Sequence, residues 1–123
     1  ERTAGKTYRD ACRWLLPAPI PQGVARLVVT DLSTSDNIDL AFSALTADVA
    51  GEVEVRWAQA GVPVFSNARN HRMEPDVPMI IPGVNNDHIQ LVDHQRKNRG
   101  WKGFIISDNI YLVQNICKGL HTI

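Results

Sequence analysis

One polar loop in the middle of the chain carries the side chains with the clearest capacity for chemistry. Arg69, His71 and Arg72 lie close together there, between Asn67 and Glu74. An imidazole can transfer a proton near neutral pH, and guanidinium groups bind carboxylates and phosphates. One interpretation is therefore an anion pocket with His71 as general acid or base. The other is a structural loop that is held by its own ion pairs and hydrogen bonds.

The remaining histidines, basic residues and cysteines give weaker signals. His88 and His94 are six positions apart, so on a helix they point in different directions and do not form a metal-binding pair. The basic run at 96–102 is typical of a solvated helix end, where the helix dipole favours positive charge. Cys12 and Cys117 lack ligand spacing, so we expect no metal site and favour free thiols over one long-range disulfide.

The composition predicts a globular protein that has one domain, residues 1–123. Hydrophobic residues make up 44% and charged residues 21% of the chain, and the 13 basic residues balance the 13 acidic ones. This balance excludes the positive surface expected of a nucleic-acid binder or of a protein that binds anionic membranes. Because no apolar run reaches membrane-spanning length, we expect a cytoplasmic protein.

The elements that position the polar loop follow an alternation of strands and helices. A strand, a helix ended by Gly61 and a second strand form a βαβ unit over residues 38–66, which should be right-handed. The expected fold class is α/β, a partial Rossmann-like three-layer domain with a mostly parallel sheet. We predict strands at 25–30, 38–45, 62–66, 79–81 and 104–107, helices at 47–60 and 87–98, and a last amphipathic helix from residue 109 onward.

Four segments, taken in chain order, resemble the N-terminal, nucleotide-binding half of aspartate-semialdehyde dehydrogenase of the fungal and archaeal type. The resemblance implies an NADP-binding domain from an enzyme that reduces aspartyl phosphate to aspartate semialdehyde through a cysteine thioester. The segments are ERTAGKTY at 1–8, FSALTADVAGEVE at 42–54, GVPVFSNARNHRMEPDVPMIIPGVNNDH at 61–88 and HQRKNRGWKGFI at 94–105.

The resemblance also implies roles for particular residues. Arg2 and Thr3 match residues that meet the adenosine 2′-phosphate, Ser43 and Ala44 match a strand end beside the cofactor, and Asn67 matches a second cofactor-side turn. These positions are physically reasonable, because ligands gather at the carboxyl ends of parallel strands. The loop that contains His71 belongs to the matched cofactor domain rather than to the catalytic residues of the family. We therefore favour its structural interpretation.

The chain departs from the family at the catalytic position. The family has an N-P-N-C-[ST] turn after the strand that matches FIIS, whereas this chain continues from Asp108 to Tyr111. Tyr111 takes the place of the cysteine, and a phenol with an ordinary pKa of about 10 is a poor substitute for a thiolate. Cys117 lies six residues further on, within an apolar pattern that favours a buried thiol. Asp108, Tyr111 and His71 are the candidates for any new chemistry.

Two other family features have no counterpart in these 123 residues. The glycine-rich GxTGxVG turn, which would bind the pyrophosphate, is absent, and Gly83 stands where the family has a glutamate. Without that turn and the strand before it, we expect little or no cofactor binding. We also expect an unpaired, apolar strand edge, which a homo-oligomer would cover.

Three functions are compatible with these observations, and a stand-alone dehydrogenase is not among them. The first is a repurposed protein that binds a small molecule without a cofactor, such as a non-redox isomerase or cyclase of a biosynthetic pathway. The second is a residual fragment of aspartate-semialdehyde dehydrogenase that binds NADP weakly. The third is a non-catalytic regulatory or binding module.

Overall fold

A computed structural model describes residues 3–33 and 35–108, the last of these by its backbone alone. The chain divides into two compact units, Glu1–Thr34 and Ser35–Ile123. Arg2, Tyr111, Cys117 and the helix predicted from residue 109 onward lie outside the described residues. None of the helices in the described ranges is long and apolar enough to cross a membrane.

The first unit contains two short helices, α1 (Tyr8–Ala11) and α2 (Gln22–Ala25). The strand predicted at 25–30 is wrong, because Ala25 ends α2 and Val28 forms only an isolated antiparallel bridge with Thr7. The side chain of Val28 is 60% exposed. A run of β-branched residues forms a regular strand only where neighbouring strands bury it, and here its partner is a short polar segment.

The second unit is built on a four-stranded sheet in which every strand pair is parallel. The α/β class predicted from the sequence is confirmed. Ser43, Ser66 and Ser107 lie side by side in this sheet, so the carboxyl ends of three strands form one edge. The strands are β1 (Ala41–Ser43), β2 (Pro63–Ser66), β3 (Met79–Ile80) and β4 (Phe104–Asp108), in the order β1-β2-β4-β3.

The helix α3 (Ala47–Ala60) connects β1 to β2 and has the predicted bounds. Its last turn ends at Gly61, whose φ of 108° is the left-handed conformation that glycine adopts most readily. Val53 and Trp57 on α3 pack against the sheet in one core cluster with Val64 and Ile105. One face of the sheet is therefore closed by this helix.

The second helical segment consists of a 3₁₀ helix, Asn86–Gln90, followed by α4 (Leu91–Arg99), which ends at Gly100. Gln95 on α4 is fully buried and closes the edge of β4. Its Nε2 donates to the carbonyl oxygens of Asp76 and Ile105, each at 3.0 Å, and its Oε1 accepts from the N–H of Ile105 at 2.7 Å. A side-chain amide thus satisfies the backbone groups of β4 where β3 does not reach.

Candidate functional site

A cleft of about 710 Å³ opens where β1 and β2 end. This volume falls in the range of small-molecule sites, and such sites are mostly apolar with a few polar groups. Ligands of parallel α/β sheets bind at this edge, beyond the carboxyl ends of the strands. The lining residues are Phe42, Ser43, Ala44, Phe65, Asn67, Ile80, Pro82, Asn86, Ile89 and Ile106.

The fold brings three of the five predicted cofactor-binding residues together in this cleft. Ser43, Ala44 and Asn67 all line it, and the N–H of Asn67 donates to the carbonyl oxygen of Ser43 at 2.9 Å. Thr3 is exposed in the first unit, and Arg2 lies outside the described residues. The cofactor-binding role of all five residues stays a prediction.

The polar groups that the cleft offers a ligand come from few residues. The hydroxyl of Ser43 donates to Glu54 and is therefore engaged on the side of α3. The side-chain amide of Asn67 makes no hydrogen bond to the described part of the chain, so it can donate to and accept from a ligand. Asn86 already accepts from the N–H of Gly83, at 2.9 Å, through its Oδ1.

The lining fits one part of a dinucleotide better than the other. Phe42 and Phe65 present aromatic rings with centroids 5.6 Å apart, and such apolar walls suit a planar base or nicotinamide ring. No lysine or arginine is present among the described lining residues, so the cleft offers no cation to a phosphate. The residues present therefore fit the ring and ribose of NADP, whereas its phosphates find no charged partner in this lining.

A buried carboxylate lies beneath the cleft, and sequence reasoning missed it. Glu54 is fully buried on α3, and its Oε1 accepts hydrogen bonds from the hydroxyls of Ser43 and Ser66, the latter at 2.8 Å. A signal was available in the helical spacing, because position 54 falls on the stripe formed by Ala50, Val53 and Trp57. A charged residue on the apolar stripe of a helix indicates a buried, hydrogen-bonded carboxylate.

His71 lies between two carboxylates rather than in the lining of the cleft. Its Nδ1 is 2.8 Å from Oε1 of Glu74, its Nε2 is 3.4 Å from Oε2 of Glu54, and the residue is 4% exposed. The contact of Nδ1 with Glu74 favours the structural interpretation of this loop, whereas Nε2 is buried and makes no hydrogen bond among the described residues. The acid/base role of His71 stays a prediction.

Arg99 completes this network and corrects one expectation about the basic run. Its guanidinium donates to Asp76 twice, with Nε to Oδ2 at 2.6 Å, and to Oε2 of Glu74 at 2.6 Å. The run was expected to be solvated, but Arg99 is an internal ion-pair partner and Arg96 lies 5.0 Å from the ring of Phe104. The segment after β2 is thereby held to α4.

The ion pairs determine the direction of three pKa shifts. Hydrogen bonds from Arg99 lower the pKa of Asp76 against the opposing effect of burial. Burial tends to raise the pKa of Glu74, but hydrogen bonds from His71 and Arg99 together outweigh it and leave the pKa below its ordinary value. The pKa of Arg99 is raised, first by its bond to Asp76. All three groups are therefore ionised at neutral pH.

The two other candidates for new chemistry are less completely placed. Asp108 ends β4 in register with Ile80 of β3, so its backbone lies at the strand-end edge that bears the cleft. Tyr111 lies outside the described residues. The catalytic role of both residues stays a prediction.

Comparison with known proteins gives one family and a consistent set of relatives. The family described as "Semialdehyde dehydrogenase, NAD binding domain" matches residues 1–92. Aspartate-semialdehyde dehydrogenase of Aspergillus fumigatus is 43% identical over 111 residues, which are 88% of this chain and 31% of that enzyme. Malonyl CoA reductase (NADP) of Metallosphaera sedula is 42% identical over 114 residues, 91% of this chain and 32% of that enzyme.

A solved structure supports the same relationship. Aspartate-semialdehyde dehydrogenase of Candida albicans, crystallised with NADP, matches with a TM-score of 0.76 and 38% identity. The match covers 87% of this chain and 32% of the other one. The chain thus spans about a third of the length of the relatives it matches, 31% and 32% for the two enzymes above.

Proposed function

Because this chain belongs to the semialdehyde dehydrogenase NAD-binding domain family, we propose that it provides the NADP-binding part of an enzyme of the aspartate-semialdehyde dehydrogenase type. The observation that carries the proposal is the cleft at the ends of β1 and β2. Ser43, Ala44 and Asn67 line it together, and these are residues that the family resemblance associates with the cofactor. This site is the one expected for a nucleotide on a parallel sheet.

Each lining residue has a distinct task in this proposal. Phe42 and Phe65 exclude water from one side of the nicotinamide or adenine ring. Ala44 leaves space for the ring because its side chain is a single methyl group, and the Asn67 amide hydrogen-bonds a polar edge of the ligand. When bound, the nicotinamide supplies hydride transfer.

The affinity of this 123-residue chain for NADP should be low. Its cleft lining holds no cationic side chain among the described residues, and the chain has no glycine-rich turn for the pyrophosphate. We therefore expect a dissociation constant on the order of millimolar, compared with the tighter binding that a helix N-terminus and its turn provide. Arg2 and Thr3 are proposed to favour NADP over NAD through the 2′-phosphate.

The acyl substrate of the whole enzyme is not set by this part of the chain. The relatives above are named for two different reactions, yet their identities over this segment, 43% and 42%, are nearly equal. Our first expectation was a cofactor-free isomerase or cyclase, and none of the relatives named above is an enzyme of that kind. The comparisons therefore favour the NADP-binding fragment. We therefore limit the proposal for this segment to cofactor binding.

A calorimetric titration with NADP⁺ tests the proposal. Ala44→Trp places a large ring in the cleft and should abolish the binding that the unaltered chain shows. Ala60→Trp is the matched control, because Ala60 is exposed at the C-terminal end of α3, away from the strand ends that form the cleft. The proposal is wrong if the unaltered chain binds no NADP⁺ at millimolar concentration, or if Ala44→Trp binds it equally well.

A further inference from the structure

We infer that Glu54 is a positioning residue of the cleft, whose buried carboxylate holds the ends of β1 and β2 in the arrangement that receives the nucleotide. The inference rests on the proposed function. Glu54 does not line the cleft, and its side chain lies on the side of the sheet that α3 covers. Its effect would therefore pass through the two serines that it contacts.

The contacts of Glu54 reach two neighbouring strands through one oxygen atom. Oε1 accepts from the hydroxyl of Ser43, the last residue of β1, and from the hydroxyl of Ser66, the last residue of β2. These serines are register partners in the sheet. A single carboxylate oxygen thus connects the two strand ends just before the chain enters the cleft.

The hydroxyl of Ser66 continues this connection into the following turn. A serine hydroxyl has one hydrogen to donate, and that of Ser66 goes to Glu54, at 2.8 Å. Its oxygen accepts the N–H of Ala68 at 3.1 Å, and the intervening residue, Asn67, lines the cleft. The Ala68 N–H therefore donates to Ser66, and Ser66 donates to Glu54. This sequence of hydrogen bonds connects Glu54 to the turn that contains Asn67.

Burial makes a carboxylate costly at this position, and its hydrogen bonds offset that cost through one oxygen, Oε1. Glu54, Ser43 and Ser66 are 0%, 5% and 0% exposed, whereas an apolar side chain would fill the position beside Val53 and Trp57 at less cost in desolvation. The second oxygen, Oε2, lies 3.4 Å from Nε2 of His71, and neither atom has a hydrogen-bond partner among the described residues. An apolar side chain would fill this position equally well. Hydrogen bonds to the serines at both strand ends, in contrast, require an acceptor such as a carboxylate.

Three variants on one helix separate positioning from general stability. Glu54→Met fills nearly the same volume but removes the acceptor, Glu54→Gln keeps an acceptor oxygen, and Glu52→Met changes an exposed glutamate two positions away. The measurements are the urea midpoint, the dissociation constant for NADP⁺, and the ¹H–¹⁵N shifts of the Ala44 and Asn67 amides.

We expect Glu54→Met to fold, to shift both amides and to bind NADP⁺ about tenfold more weakly, since small displacements of positioning groups have large effects. Glu54→Gln should restore most of the affinity, and Glu52→Met should match the unaltered chain. Unchanged amide shifts together with unchanged affinity in Glu54→Met would overturn the inference. So would a loss in affinity that Glu54→Gln fails to restore.

Two further outcomes are covered, failure of Glu54→Met to fold and failure of the unaltered chain to bind NADP⁺. Should Glu54→Met fail to fold, Ser66→Ala removes one hydroxyl from the same connection, and the same shift at Asn67 is expected; an unshifted Asn67 amide would contradict the inference. Should the unaltered chain bind no NADP⁺, the proposed function fails, while the amide shifts still decide whether Glu54 positions the two strand ends.

Discussion

The two faces of the sheet carry similar apolar side chains but differ in what covers them. On the face toward α3, Val64 and Ile105 are both 0% exposed. On the opposite face, Phe42, Phe65 and Phe104 form a row across three strands, with ring centroids 5.6 and 6.2 Å apart, and Phe42 is 80% exposed. The first face forms the core. The second face forms a wall of the cleft, and it is buried at Ile106 but open at Phe42.

This difference separates stability from binding in the same three strands. Side chains alternate between the two faces, so neighbouring residues such as Phe42 and Ser43 serve different purposes. Strands that are apolar on both faces usually lie between two helical layers. Here α3 packs closely on one face, whereas on the other face Arg96 of α4 lies over Phe104 and the ring of Phe42 is left exposed. Apart from Glu54, which contacts both strand ends, substitutions on the α3 side should therefore mainly reduce stability, and substitutions on the other side should mainly change ligand or partner binding.

The largest effect is expected where the chain of β4 approaches α3. A methyl group at Gly103 would overlap the carbonyl oxygen of Val62 and would lie 2.8 Å from that of Ala58, and both are backbone atoms that cannot rotate away. Gly103→Ala should reduce the free energy of unfolding by about 3 kcal/mol or more, as overpacking does.

Urea denaturation followed by circular dichroism measures this loss. The control is Gly23→Ala in α2, where a methyl group would meet nothing within 4 Å. That change should leave the free energy of unfolding unchanged or raise it by up to about 1 kcal/mol. An unaltered urea midpoint in Gly103→Ala would contradict the account of the packed face.

A pair of truncations compares the two faces directly. Ile105→Ala opens a cavity in the core and should cost about 3 kcal/mol, whereas Phe42→Ala removes an exposed ring and should cost less than about 1 kcal/mol. Both values come from the same urea titrations. Equal losses would show that the second face is packed as closely as the first, and the comparison would fail.

An intermediate effect is expected from the ion pairs of the loop beside the packed face. Arg99→Met leaves Glu74 and Asp76 without their cation and should cost about 2 kcal/mol at neutral pH. Lys97→Met, which changes an exposed lysine on the same helix, is the control and should change stability by less than about 0.5 kcal/mol.

The loss caused by Arg99→Met should depend on pH in a defined direction. Because Arg99 lowers the folded-state pKa values of Asp76 and Glu74, its stabilisation is fully present above their unfolded pKa values of about 4. It disappears as the pH falls through the lower, folded pKa values. Urea midpoints of both proteins should therefore converge in acid, and a gap that widens at low pH would refute the assignment.

The smallest effect on stability, but a clear effect on association, is expected at the open strand edge. Among the described strands β1 ends one side of the sheet, and Phe42 is its most exposed residue. We propose that this edge pairs with a second copy of the chain, as exposed apolar strands tend to do. Phe42→Lys should shift the mass measured by light scattering toward the monomer with little change in thermal midpoint. An unaltered chain that is already monomeric at high concentration would exclude the proposal.

Local signals predicted much of the fold. The helix α3 was found with its bounds because its apolar spacing and its terminal glycine are both encoded nearby, at Val53, Trp57 and Gly61. The strand predicted at 25–30 was wrong because β-branched composition does not specify whether neighbouring strands exist to bury it.

The site was less accessible from the sequence, because its contacts join distant positions. Arg99 was interpreted as solvated, yet its partners Glu74 and Asp76 lie 25 and 23 positions earlier in the chain. Glu54 was missed because its partners Ser43 and Ser66 come from two strands whose register only the folded sheet defines. Ser43, Ala44 and Asn67 were predicted as cofactor-binding residues from the family resemblance, and the parallel topology brings them to one cleft.

An NMR titration of the ¹⁵N-labelled chain with NADP⁺ tests the central claim most directly. The claim is that the strand-end cleft, on the face opposite α3, is the nucleotide site. It predicts saturable shifts of the Ala44 and Asn67 amides, with little change at Val53 and Ala58 on the packed side. Absence of saturable shifts at millimolar NADP⁺, or shifts confined to the α3 side, would contradict it.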